Sequence, residues 1–477
     1  MSHTKPIALL LFSSSLLGCV SDGATDQTAD EVAQAQACPV SGTDFTKSIV
    51  VTDPVVLKSF AFAKTIKQIL KSSGAATTET TKTLYQQWMS TFGPTDCTNK
   101  KVDPQKYGEV CPRSNEFLLA GVDPTSGSSK VQFEPVGVFN RFDLAPKSGA
   151  TCGEYRIVYA MHSTDPQISG RGFYIFEGAL ANPDPAAKLA GCLPIAEFWQ
   201  NLSNDTPAQI ATALEKFYYL GTAVPNVGPV VAASSYGLAK NGAGYTAGQI
   251  RSNMFINDFE WHLREFKTDL TCTTPGVQST CTLTIDHVTV KNDPANELFA
   301  GTAKNSATFL TAFPKQVKAL ASGAIATIGM TTADLYNTYE SVSEPEGLPG
   351  ETNVLYTRFA DAAMKTAISN ELTTLGIKDF TAGDILNRAT TQTCGGCHEV
   401  SSGTPLGPDS KPLIWPSSLG FVQIDESSNL SEALTGFFIP HRITVLENFI
   451  NGLCGSGGTG VEDDGLTVGD SQIGADN

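Results

Sequence analysis

The sequence predicts an α+β fold: a body of mixed helices and antiparallel strands, followed by a small all-helical module. Three observations carry that prediction. Six segments between residues 131 and 290 are rich in β-branched and aromatic residues, and the clearest alternate apolar and polar side chains. Segments before and after them carry apolar residues three and four apart, several with capping residues at the start. A Cys-Gly-Gly-Cys-His run at 394–398 lies just beyond one of these capped segments.

Taken in order, residues 38–130 read as mostly helical. Phe62, Ile66, Ile69 and Leu70 share one face, and Trp88 stands four residues after Leu84. The pattern then turns to strands in VQFEPVGVF, EYRIVYAM and RGFYIFEGAL, each bounded by Gly, Pro or Asp. Tyr155, Ile157, Tyr159 and Met161 alternate as a half-buried strand requires. A helix starts at Thr206, with Pro207 in its first turn, Gln209 completing a capping box and Gly221 past its end. Strands resume in QIRSNMFI, WHLREFKTDL and CTLTIDHVTV. After Asp293 the chain reads as helical to its end, with Leu355, Phe359, Ala363 and Ala367 four apart and Gly376 as a C′ glycine.

Composition narrows the function. The chain has 477 residues with 48 acids against 32 bases, a formal charge of −16. That balance excludes nucleic acid as a partner, because phosphate binding needs a basic face. Four acids in 20–37 and five in 455–477 leave the body between them at a net −8. Both segments lack bases and read as a flexible tether and a disordered tail.

The N-terminus has one early lysine, Lys5, then an apolar run from Ile7 to Leu17, too short to span a bilayer permanently. Its ending, Leu16-Leu17-Gly18-Cys19, resembles the bacterial lipoprotein lipobox. That resemblance implies a signal peptide over 1–18, an acylated Cys19 and a membrane partner through the lipid anchor. No Asp follows Cys19, which under the same sorting rule points to the outer membrane, facing the periplasm or the surface. An ordinary secretory signal is the alternative.

The sharpest signal is the run Cys394-Gly395-Gly396-Cys397-His398. Two thiols three apart beside a histidine have the spacing of c-type haem attachment. Thr381 and Asp384 form a capping box, and Ile385, Leu386 and Ala389 give one apolar face leading into the motif. This arrangement, with Gly407-Pro408 after it, resembles small monohaem cytochromes c over about residues 380–454. The resemblance implies one covalent haem c, attached through Cys394 and Cys397, with His398 as the proximal iron ligand. It further implies that the Pro408 carbonyl orients the imidazole, with apolar cover from Leu413, Ile414, Trp415, Leu419 and Phe421. Extracytoplasmic electron transfer with a redox protein partner follows, the 38–379 body serving as a partner-binding or catalytic region.

The chain departs from that family at the distal side, since all six methionines precede the motif. His441, the one downstream histidine, is the candidate distal ligand, giving bis-histidine iron. A helix-capping role for His441, a body methionine such as Met364, and an open sixth site are the alternatives. For the motif itself the alternatives are a structural CxxC disulfide in a haem-free binding lipoprotein, or a metal knuckle completed by His441 and Cys454.

Weaker constellations carry less. Ala233-Ser234-Ser235-Tyr236-Gly237 has a partial nucleophile-elbow spacing, but no helical pattern follows it. His262 and Glu265 fall in a strand, His162 and His287 do likewise, and Gly242 and Gly244 lack a phosphate-loop lysine. Asn140 to Asp143, with Arg156, reads as a buried ion-pair corner. Of 11 cysteines, lipid takes Cys19 and haem takes two. Eight remain for disulfides in an oxidising compartment, plausibly Cys97–Cys111, Cys152–Cys192, Cys272–Cys281 and Cys38–Cys454.

Overall fold

The computed structural model describes residues 39–95, 111–257, 260–290, 296–299, 301, 305–343 and 356–453. One nine-stranded sheet organises them. Its strands are β1 (Val50–Val51), β2 (Val131–Arg141), β3 (Thr151–Ser163), β4 (Gly170–Ala181), β5 (Ala239–Lys240), β6 (Gln249–Ile256), β7 (Trp261–Cys272), β8 (Cys281–Val288) and β9 (Ser341–Ser343). The bonded order is β1-β2-β3-β4-β6-β7-β5, with β8 and β9 also on β7. Only the short β5–β7 pairing is parallel among the described strands. All six segments read as strands from sequence are present, as β2, β3, β4, β6, β7 and β8.

Alternation along these strands defines two faces. Phe176 of β4 stands opposite Ile157 of β3 and Ile250 of β6, and Ile250 opposite Phe266 of β7. Helices α1 (Phe62–Ser73) and α2 (Thr81–Ser90) cover this face. The Phe62 ring lies 5.3 Å from Tyr159, and Trp88 lies 4.4 Å from Tyr174 and 5.5 Å from Phe266. Each such buried aromatic contributes roughly 1.5–3 kcal/mol of transfer free energy. Ile66 and Ile69 complete the buried stripe of α1, as their spacing requires. Helices α3 (Leu193–Asn201) and α4 (Pro207–Glu215) follow, and the Thr206–Gln209 capping box of α4 is formed.

One residue out of phase, the opposite face carries Arg156 opposite Glu177 on β3 and β4 and, two residues off that row, Arg251 opposite Glu265 on β6 and β7. These charges are paired: Arg156 with Glu154 at 2.7 Å and Glu177 at 3.1 Å, Arg251 with Glu177 at 3.4 Å and Glu265 at 3.2 Å. Pairing is obligatory here, because stripping one partner from a buried ion pair costs about 3–5 kcal/mol. The predicted corner at Arg141 and Asp143 exists, closed at 2.8 Å, with Arg442 also 3.9 Å from Asp143 and Arg156 adjoining through Glu154, which stands opposite Arg141.

The C-terminal helices are α5 (Ala362–Thr374), capped by Asp361, α6 (Ala382–Thr390) and α7 (Ile439–Leu453). The chain after Asp293 is not helical throughout. Strand β9 pairs with β7 along 261–263, and 401–431 is irregular, with isolated bridges Pro405–Ile414 and Ile424–Leu430. Prolines 405, 408, 412 and 416 explain the second departure, since each removes a backbone donor and blocks helix propagation. The motif-bearing segment belongs to the same compact unit as the strands. No helix among the described residues is long and apolar enough to cross a membrane.

Disulfides Cys152–Cys192 and Cys272–Cys281 are formed as paired from sequence. Cys111 is disulfide-bonded, while Cys97, Cys38, Cys454 and Cys19 lie outside the described residues. Near the two ends of the described residues, the Asn451 side chain accepts from Val40 N at 2.6 Å and donates to Val40 O at 2.9 Å.

Candidate haem-attachment site

Helix α6 delivers the motif. Thr381 and Asp384 cap its start reciprocally, and Ile385, Leu386 and Ala389 are buried. Arg388, fully buried on the same helix, donates to the carbonyls of Leu406, Leu320, Ser322 and Gly407. It thereby bolts the Gly407 loop and residues 320–322 to the helix. Burial pushes its pKa down to about 10, which still leaves it charged at neutral pH. Beyond α6 the Thr393 hydroxyl donates to Thr390 O at 2.8 Å and accepts from Gly396 N at 2.9 Å. This turn brings Gly396 so close that a Cβ there would lie 1.8 Å from the Thr390 oxygen. Only glycine fits that place in the motif.

Cys394, Cys397 and His398 are all buried, at 2%, 3% and 1% exposure. Both cysteines stand as thiols rather than as a disulfide. Cys394 packs with Trp261 and Leu263 of β7, Val290 and Phe421. Burial pushes the Arg251 guanidinium down, but Glu177, Glu265 and then Cys394 outweigh it and hold its pKa above the ordinary value. Cys397 borders a cavity of about 10 Å³ lined by Ile325, Ile328, Trp415 and Phe438 among others, roughly the room for one water.

His398 Nδ1 lies 3.0 Å from the Phe421 carbonyl oxygen. A carbonyl can only accept, so Nδ1 carries a proton, and in the neutral imidazole the lone pair is then on Nε2. This is the tautomer in which Nε2 can ligate a metal, with the other nitrogen anchored to a carbonyl. The expected acceptor was Pro408. Its carbonyl instead accepts from Lys411 N, and Phe421 takes the role from 23 residues downstream of His398. Residues around Phe421 are tied to the motif a second time: Gln423 donates to Cys397 O at 3.0 Å, and Ser418 donates to Glu399.

The residues expected as apolar cover differ in burial. Trp415 is buried beside Cys397 and Phe421 stacks on Trp261 at 5.1 Å, whereas Ile414 is 57% exposed. His441 is not brought to His398. Its charged neighbours are Asp143, Arg442 and Arg141 at the far end of β2, whereas His398 sits against Asn253 on β6. In register, Arg141 and Asn253 are three strands and about six residues apart, on the order of 20 Å. Burial, with Arg442 and Arg141, holds the His441 pKa below its ordinary value despite Asp143. Met364 is buried on α5 and packs in the main core.

Of the weaker constellations, residues 233–235 form a short turn and no strand–turn–helix follows. His162 is exposed and 3.7 Å from Glu134, and His287 reaches the Tyr339 carbonyl at 2.6 Å. His262 lies 3.1 Å from Glu116, beside a buried group in which Glu340 holds both Arg113 and Arg264. No three His, Cys, Asp or Glu side chains converge to hold a metal ion among the described residues. Sequence reasoning missed Asn253, Trp261 and Arg388. The one signal for Asn253 was a polar amide in an otherwise buried strand. No family model, no curated protein and no solved structure matches this chain.

Proposed function

We propose that the chain is a membrane-anchored, extracytoplasmic c-type haem protein that transfers electrons. The observation that carries the reading is the Cys394–Cys397–His398 motif with its imidazole proton committed to the Phe421 carbonyl. In this reading Cys394 and Cys397 would hold the haem through thioether bonds, and His398 Nε2 would supply a ligand to its iron. When bound, the haem supplies a one-electron iron couple. The chain's own share is to fix the tautomer of His398, to keep both thiols buried and reduced until attachment, and to exclude water through Trp261, Trp415 and Phe421. Disulfides at Cys152–Cys192 and Cys272–Cys281 support an oxidising compartment, in keeping with export and lipidation at Cys19. The outer membrane remains the proposed location.

A haem-free binding lipoprotein is the competing reading. Close packing at Cys397 favours it. A haem stain after denaturing electrophoresis separates the two, using the full chain made in a host with cytochrome c maturation. A stained band that weakens in Cys397→Ala is expected, and an unstained wild-type band sinks the haem reading. In the stained protein, His441→Ala is expected to leave the reduced spectrum and carbon monoxide binding unchanged. A new high-spin spectrum in that variant would return His441 to the iron.

A further inference from the structure

A short segment covers the Cys394–His398 motif, and one arginine of the sheet clamps it there. Phe421 packs with Cys394, Trp261, Leu263 and Val290, its ring stacked on Trp261 with 21° between planes. The free space beside Cys397 is about 10 Å³. As folded, the motif therefore has no room for a macrocycle, nor for any reagent much larger than water. Buried groups pin the inner end of the segment. The Phe421 carbonyl accepts from His398 Nδ1 at 3.0 Å and from Asn253 Nδ2 at 2.9 Å, and Gln423 donates to the Cys397 carbonyl at 3.0 Å. The outer end rests on Arg171 of β4. Its Nη1 donates to the carbonyls of Leu419 at 3.0 Å and Gly420 at 2.7 Å, while Nε and Nη2 grip Glu426 at 2.7 and 2.8 Å. One guanidinium thus closes both sides of the turn that carries Phe421. Unlike the inner contacts, this clamp reaches solvent: the Arg171 and Glu426 side chains are 23% and 32% exposed. Phe421 adopts a φ of 62°, which a bulky residue holds only where its surroundings enforce it.

We propose that residues 419–426 form a releasable strap over Cys394 and Cys397, with Arg171 as its clamp, so that chemistry at these thiols waits on local opening. The proposal stands apart from the haem reading: the closed strap keeps out any group that reacts with the pair. The strap contributes no strand to the sheet, and its one pairing is the isolated bridge of Ile424 with Leu430. It can therefore lift while the ladders of β4, β6 and β7 stay whole, which is the condition for opening below the cost of global unfolding. Charge-assisted hydrogen bonds are the strong ones, so losing the clamp removes much of what holds the outer end down.

The test is alkylation by iodoacetamide of the folded full chain made without cytochrome c maturation. The chain is reduced, freed of reductant under argon, and read at Cys394 and Cys397 by peptide mass mapping. Slow labelling is expected in the wild type. Arg171→Ala is expected to speed it by about tenfold or more, since hydrogen bonds to a charged group are lost. Glu426→Gln, which keeps the shape, is expected to speed it less and serves if the first variant does not fold. The faster rate should stay nearly flat in dilute urea, because local release exposes little surface, whereas labelling through global unfolding climbs steeply. A wild type labelled as fast as the unfolded chain overturns the strap. Variants no faster than wild type, or faster only through global unfolding, overturn the clamp. None of these rates depends on whether haem is ever attached, so the strap and the haem reading fail separately.

Discussion

At the scale of single residues, Arg388 shows how a motif can be held by a side chain that does no chemistry. It is fully buried, and four backbone carbonyls accept from its guanidinium at 2.6–3.1 Å. A lysine offers three donors from one point and cannot span them. Arg388→Met should cost about 3 kcal/mol or more, because it leaves buried carbonyls without donors. Thermal unfolding of the variant checks this, and an unchanged midpoint would mean that water replaces the guanidinium. The motif and the Thr381–Asp384 cap were legible in the sequence because every partner lies within a few residues. The acceptor for His398 was not. Glycine-proline advertises a turn, whereas the left-handed backbone at Phe421 has no compositional signature, and Asn253 is 145 residues from the histidine it adjoins.

At the scale of elements, the six strands were readable from alternation, and α4 from its cap and from Gly221, which adopts a φ of 65°. The irregular stretch 401–431 was misread as helical, although its prolines forbid it. Two disulfides pin the strands differently. Cys152–Cys192 closes a separation of 40 residues and ties the start of β3 to the start of α3, whereas Cys272–Cys281 closes 9 across a hairpin whose ladder already pairs those residues. Loop entropy scales with length, about 3 kcal/mol for 15 residues and about 4.7 for 100. Replacing Cys152 and Cys192 by serine should therefore lower the urea midpoint more than replacing Cys272 and Cys281. Equal losses would show that the unfolded chain does not gain that freedom.

Across the whole molecule, buried charge sets the response to acid. Burial alone would raise the Asp143 carboxyl, but Arg141 and Arg442 outweigh it and hold its pKa down to about 2. Glu340 is likewise held well below the carboxylate range by Arg264 and Arg113, against its burial. Both folded values lie below the unfolded ones, so their stabilisation is present above about pH 4 and is lost as pH falls toward 2. His262 acts earlier: burial and Arg113 depress its pKa, so the unfolded state takes up a proton below about pH 6.5 while the folded state does not yet. Urea midpoints should therefore decline gently below about pH 6.5 and steeply below about 4. A flat profile down to pH 3 would contradict the ion-pair assignment. These networks were invisible to sequence reading, apart from the Arg141 corner, since Arg113 and Glu340 lie 227 residues apart.

Covalent haem at Cys394 and Cys397 is read from intact mass. Full-length protein from a host competent in cytochrome c maturation should carry the added mass of one haem and give a c-type pyridine haemochrome. Both should vanish when Cys394 and Cys397 are replaced by alanine. A colourless wild-type chain at its unmodified polypeptide mass, apart from lipid, would rule covalent haem out.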